Sequence, residues 1–311
     1  MPKVYEKLHK SGVSKPLLIG FVTTFIVAVV LRFAWVAQQG FVEYDEGWLV
    51  DAANSMARHL RGYVREFYVD FKACPVTSFL IGLPMAIFGD SPYAIMYPTA
   101  LMGLLGVCLV AYLALRMYGP LTALITLAIG AVSPMQTLFS RTVALDTPGF
   151  FFLCLSYLFV VLAPAKERLN RKTTLQLFAS GFLLALALAS NYRALSCIIL
   201  PSVLIFVREG FRRTMPTKVI THLVGFAGGL LTLEALMRIF YPVSGGYFYV
   251  FAQQYKHIGG KTFGSHSGLL PSFNIRDGLN LFHSLIDLDN PVTLALAALW
   301  LISLPLLLLK G

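Results

Sequence analysis

Residues Leu17–Ala37 form an apolar run of 21 residues, interrupted once by Arg32. A helix needs roughly 20 such residues to cross the hydrocarbon of a bilayer. The run follows four lysines, Lys3, Lys7, Lys10 and Lys15, and lacks a clear small-x-small cleavage site behind it. It is also longer than a signal-peptide core, so it reads as an uncleaved first span. Seven further apolar runs follow: Tyr93–Leu115, Gly119–Phe139, Thr147–Ala163, Thr174–Ser190, Ala194–Val207, Val219–Phe240 and Pro291–Leu309. Ala194–Val207 is the weakest, being short and holding Pro201. The chain of 311 residues is 57% hydrophobic and only 13% charged, too little charge to cover a soluble globule of this size.

Cys74–Gly89 is also short, begins at Pro75 and carries Pro84. That pattern suits a re-entrant or interfacial helix better than a crossing. If this segment does not cross and the N-terminus is inside, 14 basic residues lie inside against 9 outside, as the positive-inside rule asks. A nine-span model with the whole protein flipped gives the same count of basic residues but exports the N-terminal basic tail, and the basic flank of the first span usually dominates the orientation. The expected fold is an all-α integral membrane protein. It has about eight transmembrane helices, an outer amphipathic juxtamembrane helix and a re-entrant segment. Residues 1–311 form one transmembrane domain with outer loops at about 38–93 and 241–290, and no soluble domain. The net charge of +10 is then an orientation signal and gives no argument for nucleic acid. No Gly-rich phosphate loop points to a nucleotide. Cys74, Cys108, Cys154 and Cys197 lie in or beside apolar runs without a CxxC pair, which suits packing rather than disulfides or a metal.

Three groups of outer residues stand out. From Trp48 on, apolar residues recur at helical spacing (Leu49, Ala52, Ala53, Met56, Leu60), which describes an amphipathic helix on the membrane face. Asp45 and Glu46 open it. They fit an N-cap and a first-turn acid, and equally a carboxylate held at the membrane–water boundary for catalysis. Ser140–Phe150 breaks two apolar runs with Arg141 and Asp146. Asp146 there fits a helix cap before Pro148, or the lining of a polar cavity. Lys72, Arg141 and Arg193 are three cations at the outer boundary. Each alone fits a snorkelling anchor, and together they suit a lipid phosphate. Within the spans, Glu234 and Arg238 stand four apart and suit a structural pair. His257, His266 and His283 share the last outer loop at no metal-binding spacing.

Several motifs occur in a meaningful order: the acidic pair, a Lys-x-x-Pro step at Lys72–Pro75, Ile87–Gly89, Arg116–Gly119, and Ser-Arg-x-x-x-x-Asp ending at Asp146. In this the chain, from about Leu17 to Pro201, resembles the GT-C superfamily of polyprenyl-phosphate-dependent glycosyltransferases. The resemblance is nearest to the protein O-mannosyltransferase and lipid A aminoarabinose transferase branch. It implies a catalytic acid at Asp45 with Glu46 as companion, a lysine at the lipid phosphate (Lys72) and a second important acid (Asp146). Arg141 shares the Asp146 loop, and Arg193 stands where a basic residue often follows the fifth span. Tyr44 and Tyr192, beside these, complete the substrate-binding set. There are departures. Ala73-Cys74 stands where Pro-Pro is usual, Phe71 stands where some relatives carry a carboxylate metal ligand, and the chain looks short or C-terminally truncated for the family.

The implied reaction moves a sugar from a polyprenyl-phosphate-linked donor to an acceptor hydroxyl on the outer face. The acceptor is a lipid, a glycan or a protein. No cofactor is required, and a divalent metal is not favoured. Asp45 acts as general base in an inverting displacement. The cytoplasmic membrane is the expected location. The rival expectations are a non-catalytic transporter or flippase of lipid-linked sugars, and a scaffold subunit of a larger glycosyltransferase.

Overall fold

The computed structural model describes residues 14–38, 44–63, 75–165, 169–240 and 246–252. Among these there is no strand. The helices are α1 (Lys15–Phe33), α2 (Tyr44–Leu60), α3 (Pro75–Phe88), α4 (Pro92–Tyr118), α5 (Pro120–Val132), α6 (Pro134–Arg141), α7 (Asp146–Leu162), α8 (Arg171–Ser190), α9 (Leu200–Glu209) and α10 (Met215–Phe240). A 3-10 helix, Tyr192–Cys197, precedes α9. The short helix 247–252 follows α10. Four helices are long and apolar enough to cross a membrane, or five if α5 and α6 form one bent span. The protein is an all-α integral membrane protein. The expected span Pro291–Leu309 and the three outer histidines lie outside the described residues.

Local chemistry sets the boundaries. Proline stands in the first turn of α1, α4, α5, α6 and α9, where its missing N–H is no loss. Ser91 and Asn170 cap α4 and α8, accepting from the amides of Ala94 (3.2 Å) and Thr173 (2.9 Å). Gly89 and Gly119 stop α3 and α4 with φ of 85° and 97°. Two of the sequence motifs, Ile87–Gly89 and Arg116–Gly119, are therefore glycine helix stops.

The expected continuous span Gly119–Phe139 is instead two helices bent by 59°. Pro134 has no N–H to give the Gly130 carbonyl, so the ladder opens there. Arg32, fully buried in α1, fills the gap. It donates to the Gly130 carbonyl at 2.8 Å and to the Ala131 carbonyl at 3.3 Å. The expected span Ala194–Val207 is likewise split, into the 3-10 helix and the ten-residue α9. The 3-10 segment rises about 2.0 Å per residue against about 1.5 Å for an α-helix. Tyr192 follows Asn191 and Glu209 meets Lys218, so the split segment still runs from the Asp146 side to the Lys218 side.

Two helix pairs fix the directions of packing. α7 and α8 are antiparallel, clasped where the Ser156 and Ser180 hydroxyls each donate to the other's carbonyl, at 2.8 and 2.9 Å. α8 and α10 run parallel and very close. A Cβ on Gly225 would collide with the Phe178 carbonyl oxygen, and one on Gly229 would lie 2.6 Å from the Ala185 methyl. Gly225 and Gly229 form the small-xxx-small pattern that lets membrane helices approach closely.

The bundle therefore has two distinct ends. One gathers Leu31, Arg141, Asp146, Ser190 and Asn191. The other gathers Pro164, Asn170, Glu209 and Lys218. At that second end the Lys218 ammonium meets the Glu209 carboxylate at 2.8 Å and the Pro164 carbonyl at 2.9 Å, both charged groups buried. The expected Glu234–Arg238 pair forms. The Glu234 carboxylate also accepts from the amide of Phe248 at 2.9 Å, tying the start of helix 247–252 back to α10.

Candidate active site

The site is built on helix ends. α2 has the expected amphipathic character: Leu49, Ala52, Ala53, Met56 and Ala57 are buried, while Trp48 and Leu60 lie at the margin of that face, 36% and 43% exposed. It packs on α3 in a parallel sense. A Cβ on Gly82 would lie 2.8 Å from the Ala53 carbonyl oxygen. Further along both helices, Arg61 donates to the carbonyls of Met85 and Ala86 and pairs with Asp90 at 3.4 Å. Cationic donors suit a helix C-terminus, where carbonyls lack partners. A parallel pair brings the starts of α2 and α3 to the same end.

The start of α3 is anchored to the end of α8. Thr77 Oγ1 donates to the Ser190 carbonyl at 3.1 Å, with both residues buried. One residue on, Asn191 Nδ2 donates to Asp146 Oδ1 at 2.7 Å. Asp146 is the first residue of α7, and the N-cap position is Leu145, with no side-chain cap. The expected capping role of Asp146 is thus corrected: its carboxylate is engaged across the helix interface by Asn191. Gly149 permits the approach, since a Cβ there would stand 3.0 Å from that of Asn191. Thr147 Oγ1 closes the turn by donating to the Phe139 carbonyl at 2.7 Å.

Each candidate residue has a place in this frame. Tyr44, Asp45 and Glu46 are the first three residues of α2. Asp45 therefore lies inside the first turn rather than ahead of it as an N-cap. The side chains of these three residues, and Lys72 as a whole, lie outside the described residues. Lys72 precedes α3 by three positions in sequence. Arg141 ends α6 and donates to the Leu31 carbonyl at 2.9 Å, at the end of α1. Tyr192 and Arg193 open the 3-10 helix directly after Asn191. The Arg193 side chain is outside the described residues. Val143, fully buried in the loop between Arg141 and Asp146, shares one apolar cluster with Leu49 of α2 and Ile81 of α3. The Arg141–Asp146 loop is thereby packed together with α2 and α3.

Asn191, Thr77 and Ser190 join the site unannounced. Their one sequence signal is polar residues at the boundary of an apolar run, which helix ends produce routinely.

The family model for dolichyl-phosphate-mannose-protein mannosyltransferases matches residues 72–237, just over half of the chain. The chain belongs to this mannosyltransferase family. It is a multi-pass membrane glycosyltransferase of the GT-C type. The matched segment starts at Lys72 and includes Arg141, Asp146, Asn191, Tyr192 and Arg193, while Tyr44, Asp45 and Glu46 precede it. No curated protein matches the chain.

Proposed function

We propose that the protein transfers a sugar, mannose by its family, from a polyprenyl-phosphate donor to an acceptor hydroxyl at the bundle end that holds Asp146. The observation that carries this reading is the meeting of helix starts at that end. The start of α7 is joined to the end of α8 through Asp146 and Asn191. The start of α3 is joined to the same place through Thr77 and Ser190. The parallel packing of α2 on α3 adds a third helix start, the one that carries Asp45. Helix N-termini present amides and the positive end of the helix dipole, so several together favour a phosphate.

In this reading the lipid phosphate is both anchor and leaving group. Lys72, Arg141 and Arg193 stabilise the negative charge that grows on it as the sugar departs. Asp45, with Glu46 beside it, takes the proton of the acceptor hydroxyl as that oxygen attacks the anomeric carbon from the opposite face. The configuration there inverts. Asp146, held by Asn191, orients the donor sugar, and Tyr44 and Tyr192 line its path. The acceptor is a lipid, a glycan or a protein.

We further propose eight spans: the five above with α5–α6 as one, α7, the Tyr192–Glu209 segment and the apolar run Pro291–Leu309, with α3 re-entrant. The N-terminus lies inside the cytoplasmic membrane and the site faces outward. The distribution of cations supports this orientation: Lys15, Arg116, Arg171, Arg208, Arg212, Arg213 and Lys218 all belong to the end away from Asp146.

Membranes containing the chain test the donor. Radiolabelled mannose should pass to acceptor from polyprenyl-phosphate mannose, and not directly from a guanosine diphosphate sugar. Transfer from the nucleotide sugar with no lipid-linked donor present would overturn the proposal.

A further inference from the structure

At the end of the bundle away from Asp146, the sequence cluster Arg208, Arg212, Arg213 and Lys218 divides by exposure: Lys218 is buried, Arg208 half-buried, and Arg212 and Arg213 exposed. Lys218 is buried against Glu209 and the Pro164 carbonyl, and Arg208 donates to the Val160 carbonyl near the end of α7. These two cations hold the α9–α10 turn in place. Thr214 adds a hydrogen bond to the second Glu209 oxygen, at 3.4 Å. Gly210, at φ of 64°, ends α9 and turns the chain outward.

What the latched turn presents is Phe211, Arg212 and Arg213. All three are exposed, and Phe211 is 93% exposed. Its ring is braced edge-on by Phe206 with centroids 5.1 Å apart, so the projecting aromatic is held from below. Arg171 and Lys172, at the start of α8, add two exposed cations at the same end. An aromatic ring beside cations, fixed on a short turn at the end of an apolar bundle, matches the layered chemistry of a bilayer surface. The ring suits the boundary of the acyl chains, and the guanidinium groups suit phosphodiesters. A buried Lys–Glu pair is costly to desolvate, so its presence under so short a turn fits a turn whose geometry matters.

We propose that the Gly210–Thr214 turn is a docking surface for anionic phospholipid headgroups. Phe211 seats at the acyl boundary, and Arg212 and Arg213 engage the headgroup phosphates. This surface is separate from the donor-binding end and is independent of transfer activity.

The full chain in detergent micelles, with no sugar donor present, tests this. Phosphatidylglycerol and phosphatidylcholine are titrated separately, and retained lipid is counted by native mass spectrometry. Wild type should retain phosphatidylglycerol in preference to phosphatidylcholine. An R212Q/R213Q variant should bind phosphatidylglycerol roughly thirty-fold more weakly, as two surface cations imply. F211S should weaken both lipids without removing the preference. Both variants change exposed residues, and an unchanged thermal midpoint confirms that the bundle is intact. Equal retention of the two lipids by wild type, or an undiminished preference in R212Q/R213Q, would overturn the proposal. Neither outcome bears on transfer at the opposite end.

Discussion

Asn191 holds Asp146 through a 2.7 Å hydrogen bond that joins the first residue after α8 to the first residue of α7. Forty-five positions apart in sequence, the two fix where a carboxylate stands at the end of the bundle. Asn191→Ala removes this donor and loosens the hold on the Asp146 carboxylate. An ångström of misplacement at a reacting site costs on the order of 100-fold in rate. We expect a loss of about that size in sugar transfer, mostly in kcat, with the thermal midpoint shifted by only a few degrees. Transfer kinetics with polyprenyl-phosphate mannose, alongside a melting curve, check it.

Arg32 replaces the amide that Pro134 cannot supply. Arg32→Met strands the Gly130 carbonyl, while Ala131 keeps the Thr137 hydroxyl at 3.4 Å, and should destabilise the bundle by about 2 kcal/mol, a lost buried partner costing about 1–3 kcal/mol. Adding Pro134→Ala returns an N–H opposite Gly130. The double variant should therefore melt higher than Arg32→Met alone, and a lower melting point would refute this account of the bend.

Gly225 and Gly228 make an internal comparison on α10. A Cβ at Gly225 meets the Phe178 backbone, whereas one at Gly228 meets only the Phe178 ring, at 3.4 Å. Gly225→Ala should force α8 and α10 apart and lower the yield of folded protein sharply. Gly228→Ala should fold nearly as well as wild type, and size-exclusion profiles in detergent would separate the two.

Lys218→Met takes the Lys218 ammonium from the buried Glu209 carboxylate, and removal of one partner of a buried pair costs about 3–5 kcal/mol. The double variant Lys218→Met/Glu209→Leu removes both charges and should recover most of that loss. Thermal midpoints of the two variants decide the matter. If the double variant is no more stable than the single, the pair does not act as a latch.

Apolar length made much of this fold readable. α1, α4, α7, α8 and α10 fall close to the apolar runs, and α3 has the short, proline-bearing form expected of Cys74–Gly89. The α5–α6 bend was not readable, because a proline inside an apolar run marks a kink only when something else serves the freed carbonyl. Here that is Arg32, about a hundred positions earlier. Asp146 was visible as an acid in a break between two apolar runs. Its partner was not, since Asn191 is an unremarkable polar residue at the end of a helix until α7 is laid antiparallel against α8. Glu234 and Arg238 were readable as a pair from spacing alone, but the hold of Glu234 on Phe248 depends on how the chain returns after α10.

In the proposed reaction the bundle end bearing Asp146 and the start of α2 performs sugar transfer, with Asp45 as its base. The most direct test is the rate of transfer from polyprenyl-phosphate mannose by Asp45→Asn in membranes, at a matched amount of folded protein. General-base catalysis contributes roughly 100- to 10,000-fold, so a fall in that range with donor binding retained is the expected result. Turnover near the wild-type rate would contradict the account.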